Sequence, residues 1–301
     1  MLTKIKNKSL LADFSLLIIA VIWGSGFVAT KNALDSYSPY FIMASRFFIA
    51  CVSIGLVFFK NIKKITKKDF MAGSIIGFLL FIAFAAQTIG LQYTTAAKQA
   101  FITGTNVVMV PFIYWLVNSK KPDIYNLIAA FMCFIGIGFL TLEGSLHINL
   151  GDGLTLACAL FFACHIVAIG YYAEKHDPIV LTFVQFLVAF ILSLISIFSF
   201  NEIPSTISKE GLFPIIYLGV FSTFIAFLIQ NVAQKYTTPT RAAIILCLEA
   251  VFGSLLSCFL LGEDFTYKMF IGCIVIFLAI VTAETKWEFI KFKGAEKNYE
   301  Y

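Results

Sequence analysis

The hydropathy pattern resolves into ten apolar runs separated by short polar clusters, at about 13–34, 39–59, 70–91, 97–117, 123–142, 153–173, 178–199, 211–233, 239–260 and 267–285. Runs of ~20 residues are long enough for an α-helix to cross ~30 Å of hydrocarbon. Pro39, Pro122, Pro178 and Pro239 stand at or just before the start of a run. A helix tolerates proline there, because the missing N–H would have no partner in the first turn. The pattern therefore predicts an all-α integral membrane protein with ten transmembrane helices. The first run is too long for a signal-peptide core and lacks a small-residue cleavage site after it, so it is expected to be retained as a helix.

Composition strengthens this reading. Of the 301 residues, 60% are hydrophobic and 13% charged, against ~25% charged in an average soluble domain. The net charge of +5 could suggest nucleic acid, but the 22 Lys and Arg residues form no single patch. With the N-terminus in the cytoplasm, seventeen lie in inner segments, from Lys4 through the 60–68 loop to Lys297. Three lie outside, Lys98, Lys209 and Lys268, and Lys31 and Arg46 fall within runs. That bias predicts cytoplasmic termini and a multi-pass protein held by the bilayer, with no nucleic-acid partner. The basic loop could also touch anionic headgroups. The seven cysteines all fall within runs, without a C-x-x-C pair, and read as small packing residues.

The two halves of the chain repeat one another. Gln87 to Ala100 aligns with Gln230 to Ala243 at an offset of 143, with Gln, Tyr, Thr-Thr, a basic residue and Ala recurring. Upstream, at an offset of 139, Trp23 falls on Phe162, Pro39 on Pro178 and Arg46 on Gln185. The repeats run over 13–142 and 153–285, followed by a cytoplasmic tail at 286–301. Five crossings per repeat is an odd number, so the second copy is inverted in the membrane.

The chain resembles the EamA-type proteins of the drug/metabolite transporter superfamily. The resemblance rests on Ile22-Trp23-Gly24-Ser25, Pro39 and Arg46-Phe47, Leu91-Gln92-Tyr93-Thr94, Leu248-Glu249, and Leu260-Leu261-Gly262-Glu263. One departure is Ala250, where the family often has proline after the glutamate, which puts a kink in the ninth helix in question. The resemblance implies a secondary transporter, commonly an exporter of amino-acid-like metabolites or drugs, working by alternating access around a cavity between inverted repeats. With Lys-rich, Arg-poor usage, it also implies a bacterial cytoplasmic membrane, as monomer or homodimer.

Polar side chains within the runs are the candidates for a transport path, because hydrocarbon offers them no partner. Gln99, Thr103 and Asn106 recur at i, i+4 and i+7, one face of a continuous helix. Such a stripe could line a cavity or hydrogen-bond neighbouring helices. Their counterparts are Ala242, Leu246 and Glu249, so the two halves of the pocket differ chemically. Glu249 lies ~13 Å into its run and must be protonated, paired or wetted by a cavity. It could carry a coupling proton, hold a cationic substrate group, or pair with Arg46 or Lys31. Arg46 could snorkel to the interface or capture a carboxylate or phosphate. Lys31 has Asp35 one turn away and reads as a solvated ion pair. Gln87 and Gln230 occupy equivalent positions, and Asn231 and Gln185 extend the list. Trp23 could stack on a substrate ring or pack in the core, and His165 could relay protons or bond within the bundle. Gly73 and Gly77 form a small-residue packing face. The sequence carries neither H-E-x-x-H nor G-x-S-x-G nor a phosphate-cradling loop, so neither enzyme activity nor a metal or other cofactor is expected. A channel or a lipid scramblase is compatible with the same runs.

Overall fold

The computed structural model describes residues 2–94, 96–119, 121–141, 149–204, 206–261 and 266–287; His147, Glu263 and the tail from 288 onward lie outside them. Among the described residues there is no strand. The helices are α1 (Leu2–Leu34), α2 (Pro39–Val57), the short α3 (Phe59–Ile62), α4 (Lys67–Gly90), α5 (Ala96–Gly104), α6 (Asn106–Asn118) and α7 (Ile124–Thr141) in the first half. The second half has α8 (Leu150–Ala173), α9 (Pro178–Phe200), α10 (Lys209–Tyr217), a π-helical stretch (Leu218–Ile225), α11 (Ala226–Ala233), α12 (Pro239–Leu246), α13 (Leu248–Leu261) and α14 (Tyr267–Thr285). Among the described residues seven stretches are long and apolar enough to cross a membrane, counting Phe101–Asn118 and Lys209–Ala233 as continuous. Ile124–Phe139 and Tyr267–Ala283 are shorter apolar helices.

Local chemistry explains the helix starts. Thr66 with Asp69 and Asn149 with Asp152 form capping boxes for α4 and α8. Pro39, Pro178 and Pro239 open α2, α9 and α12 from the first turn.

Three of the predicted runs are not uniform α-helix. The fourth breaks at Thr105, where the N–H groups of Thr105 and Val108 bond carbonyls three residues back, Ile102 and Thr105. The ninth breaks at Cys247, with Ala250 N–H bonding Cys247 O in the same way. That break forms without the proline whose absence the sequence flags. The eighth loosens into the π-helical stretch a few residues after Pro214, which lies inside α10 and cannot donate to the ladder.

Apolar side chains cover the outside of the bundle as well as filling its core, and several polar ones are buried. Leu56, Leu116, Phe213, Phe259 and Phe277 are exposed, whereas Arg46, Gln99, His165, Gln185, Gln230 and Asn231 are buried. Hydrocarbon as the surrounding solvent accounts for both. Helix contacts come in reciprocal sets: α4 packs on α8 and α9, while α1 and α2 pack on the eighth predicted run (α10, the π stretch and α11). The equivalent helices α2 and α9, and α7 and α14, pack on each other. Gly73 and Gly77 permit the α4–α9 approach, because a Cβ on either would lie 2.5 Å from Val184 Cβ or 2.7 Å from Gln185 O.

Candidate functional site

A central cavity lies where the two halves meet. Its walls come mainly from α1, α4, α5, α8, α11, α12 and α13, with Arg46 of α2, Asn106 of α6, Ile137 of α7 and Ser222 of the π stretch added.

Five aromatic side chains, Trp23, Phe27, Phe84, Phe162 and Phe227, line the cavity, and four of them form two ring pairs. Trp23 packs on Phe227 with ring centroids 5.0 Å apart, and Phe162 packs on Phe84 at 5.3 Å. In the repeat registers Trp23 corresponds to Phe162 and Phe84 to Phe227. The two ring pairs are therefore one contact made twice. Gln87 and Gln230, also equivalent, both line the cavity.

The π stretch organises the cationic side. In a wider helical turn the carbonyls leave their usual partners, and Ser222 O accepts the Trp23 indole N–H at 2.9 Å. Thr223 Oγ1 donates to Leu218 O five residues back at 2.7 Å and accepts from Arg46 Nε at 2.8 Å. Arg46 Nη2 donates to Ser222 Oγ at 3.3 Å, and the guanidinium lies 4.2 Å above the Phe84 ring. Arg46 thus does not snorkel: its side chain is held within the bundle, 3% exposed, at the cavity wall. Ser25 and Tyr217 form a short hydrogen bond between α1 and α10.

Glu249 faces the same cavity from the first turn of α13, just beyond the break at Cys247. Among the described residues Glu249 forms no ion pair with Arg46 or Lys31, and no side chain donates to its carboxyl. One cation and one carboxyl, contributed by opposite repeats, therefore face one cavity with no ion pair between them.

The remaining sequence candidates divide. Thr103, Asn106 and His165 line the cavity with Trp23, Arg46, Gln87, Gln230 and Glu249. Gln99, Gln185 and Asn231 do not. Thr103 and Asn106 line the cavity on either side of the break at Thr105, whereas Gln99, one turn before Thr103 in the same unbroken α5, donates from Nε2 to Gln87 O at 2.7 Å and ties α5 to α4. Its counterpart Ala242 likewise packs away from the cavity, in an apolar cluster with α1. Gln185 Oε1 lies 3.1 Å from His165 Nε2, a buried bond between α9 and α8. Asn231 Nδ2 donates to Phe227 O at 2.8 Å, within its own helix. Sequence reasoning missed Phe84, Phe162 and Phe227 as lining residues. Extending the repeat register from Gln87 and Gln230 by three residues would have singled out the pair Phe84 and Phe227.

The EamA-like transporter family matches the chain twice, over residues 10–142 and 149–284. A protein of Archaeoglobus fulgidus named as an uncharacterized transporter is 40% identical over 278 residues, covering 91% of this chain and 86% of that protein. Another uncharacterized transporter, from Bacillus subtilis, is 22% identical over 295 residues, covering 94% and 96%. A crystal structure of 17% sequence identity superposes with a TM-score of 0.77, covering 93% of this chain and 97% of that one, which is a likeness of fold. With both halves matched and a relative at 40% identity over nine-tenths of its length, this chain belongs to the EamA-like transporter family and is a multi-pass membrane transport protein.

Proposed function

We propose that the protein is a secondary transporter that exports a small zwitterion with an apolar body, an amino-acid-like metabolite, across a bacterial cytoplasmic membrane. The observation that carries this reading is the pair Arg46 and Glu249, facing one aromatic-walled cavity with no ion pair between them. A guanidinium anchored through Nε and Nη2 keeps further N–H groups for a carboxylate, and Glu249 suits an ammonium. The rings of Trp23, Phe84, Phe162 and Phe227 offer apolar surface to the body between them.

In this reading the ten predicted runs all cross the membrane, three as broken or loosened helices, and both termini are cytoplasmic. Interrupted helices are tolerated at membrane depth where they line a cavity, which is where the breaks at Thr105 and Cys247 occur. The two repeats rock against each other to expose the cavity to one side at a time. The direction, export, follows the family resemblance. Glu249 also serves as the carrier of a coupling proton when the solute has left.

Glu249→Gln tests this assignment, since it keeps the shape and removes the charge. In reconstituted vesicles the variant is expected to insert normally, to lose the pH dependence of net transport, and to retain solute exchange at reduced affinity. Wild-type rates with an unchanged pH profile would refute the role.

A further inference from the structure

A second cavity lies toward one end of the bundle. It shares four structural elements with the central cavity, α1, α6, α8 and the ninth predicted run, in order. On α8, Ile166 lines the central cavity and Gly170 the second; on the ninth predicted run, Ala243 lines the first and Arg241 the second. On α6 the same succession runs from Asn106 to Tyr114. At a rise of 1.5 Å per residue, the step from Ile166 to Gly170 is ~6 Å and that from Arg241 to Ala243 is ~3 Å. The two spaces are thus stacked along the same helices, a turn or less apart on α8 and the ninth run and farther apart on α6 and α1.

Three contacts fill that turn. Arg241 Nη2 bonds Asp13 Oδ2 at 3.0 Å, joining α12 to α1. Gln234 Nε2 donates to Ile166 O at 2.8 Å, joining the loop after α11 to α8. Pro239 rests directly on Gly170, where a Cβ would come within 2.5 Å of Pro239 Cγ. Both polar contacts are made at the ends of long side chains and can part without unfolding a helix.

The repeat register places an analogous contact at the opposite end. Asp13 corresponds to Asp152, and Arg241 and Thr237 correspond to Lys98 and Thr94. Thr94 Oγ1 donates to Asp152 Oδ1 at 2.9 Å, joining the loop after α4 to α8. Each end of the bundle therefore has an aspartate on the first helix of one repeat tied to the other repeat close to the junction of its third and fourth runs, Asp152 to the connecting loop and Asp13 to the first turn of α12.

The second cavity also repeats the chemistry of the first. Lys235 and Lys8 stand with Glu174 among the rings of Tyr114, Tyr171 and Tyr236. Lys8 Nζ lies 5.1 Å from the Tyr236 ring centroid, and the neighbouring Lys175 Nζ lies 3.6 Å from that of Tyr171. Positive groups, a carboxylate and aromatic surface are what a zwitterion with an apolar body would meet in the central cavity as well.

We propose that the second cavity is a vestibule subsite for the transported zwitterion, and that Asp13–Arg241 with Gln234–Ile166 is the gate dividing it from the central cavity. The subsite rests on the proposed substrate class, whereas the gate does not. The gate can therefore be tested without any solute.

Single cysteines at Ala243, above the gate, and at Tyr171, below it, would be placed in a cysteine-free background. In sealed membrane vesicles of each orientation, an impermeant cationic methanethiosulfonate would be added at the face that carries Lys235. Tyr171→Cys is expected to react at similar rates with or without Asp13→Asn and Gln234→Ala. Ala243→Cys is expected to react at least tenfold faster when the gate variants are present. An Ala243→Cys rate unmoved by the gate variants, with Tyr171→Cys behaving normally, overturns the gate.

If the gate variants fail to insert, the closed gate can be held instead. Cysteines at Asp13 and Arg241 joined by a bifunctional methanethiosulfonate should abolish solute flux, and a reductant should restore it. Flux undiminished through the cross-linked protein overturns the proposal. The subsite is tested separately by protection: amino-acid solutes that slow Ala243→Cys labelling should also slow Tyr171→Cys labelling. Protection of Ala243→Cys alone removes the subsite and leaves the gate standing.

Discussion

Gly24→Ala should loosen the protein far more than a one-carbon change suggests. Gly24 of α1 faces α13, and an added Cβ would lie 2.7 Å from Gly253 N, 2.8 Å from Glu249 O and 3.0 Å from Phe252 Cβ. Comfortable carbon contacts begin near ~3.5 Å, so the helices must separate by several tenths of an ångström. Two of the three obstacles are backbone atoms, which cannot swing aside as a side-chain end could. Overpacking of this kind costs ~1–3 kcal/mol, about a 5- to 150-fold loss in the ratio of folded to unfolded protein. Because Glu249 supplies one of the obstructing atoms, the same shift moves its carboxyl in the cavity, and the solute concentration at half-saturation should rise. Gly153→Ala is the internal control: a Cβ there meets nothing within 4 Å. Alanine also favours the helix over glycine by up to ~1 kcal/mol, so this variant should match or exceed wild-type stability. Unfolding titrations in mixed detergent micelles, with vesicle uptake, compare the two. If Gly24→Ala is as stable as Gly153→Ala and takes up solute with wild-type half-saturation, the packing argument fails.

Other outcomes follow from the same geometry. Arg46→Gln should raise the half-saturating solute concentration about 10- to 150-fold, the equivalent of one lost charge-assisted bond of ~1.5–3 kcal/mol, measured by vesicle flux. Arg46→Lys should restore only part of that, because an ammonium cannot hold Ser222 and Thr223 and also present a planar fork; full rescue would count against carboxylate capture. His165→Leu removes the buried partner of Gln185 Oε1 and should lower stability by ~1–3 kcal/mol in the detergent titration, and an unchanged midpoint would mean the pair contributes nothing. A cysteine replacing Lys64 should resist an impermeant reagent applied to intact cells, and ready labelling from outside would reverse the proposed topology.

Much of the architecture is legible in the linear sequence because a bilayer imposes a simple rule on it. Every backbone polar group in hydrocarbon must be bonded within its own segment, so apolar runs such as 39–59 and 178–199 can only be helices. Their starts are equally local: Pro39, Pro178 and the Asn149–Asp152 capping box act within one turn, and nothing distant changes them. The duplication is legible too, since equivalent helices meet equivalent neighbours and preserve residues such as Gln87 and Gln230. Register alone even contains the aromatic walls, as Phe84 and Phe227 show.

What the sequence could not decide is which polar residues turn inward together. Period 3.6 places Gln99, Thr103 and Asn106 on one face, yet Thr103 and Asn106 line the cavity across the break at Thr105 while Gln99, within unbroken α5, is drawn off by the Gln87 carbonyl of the neighbouring α4. Gln185 is equivalent to Arg46 by position, yet it bonds His165 between helices whereas Arg46 reaches the cavity wall through Ser222 and Thr223. The π stretch that presents those two hydroxyls has no periodic signature, because it depends on how one long run packs against α1 and α2. Helices are set by solvent and by contacts within a turn, whereas the site is set by side chains far apart in the chain, as Arg46 and Thr223 are at 177 residues. Only the packed bundle brings such groups within bonding distance.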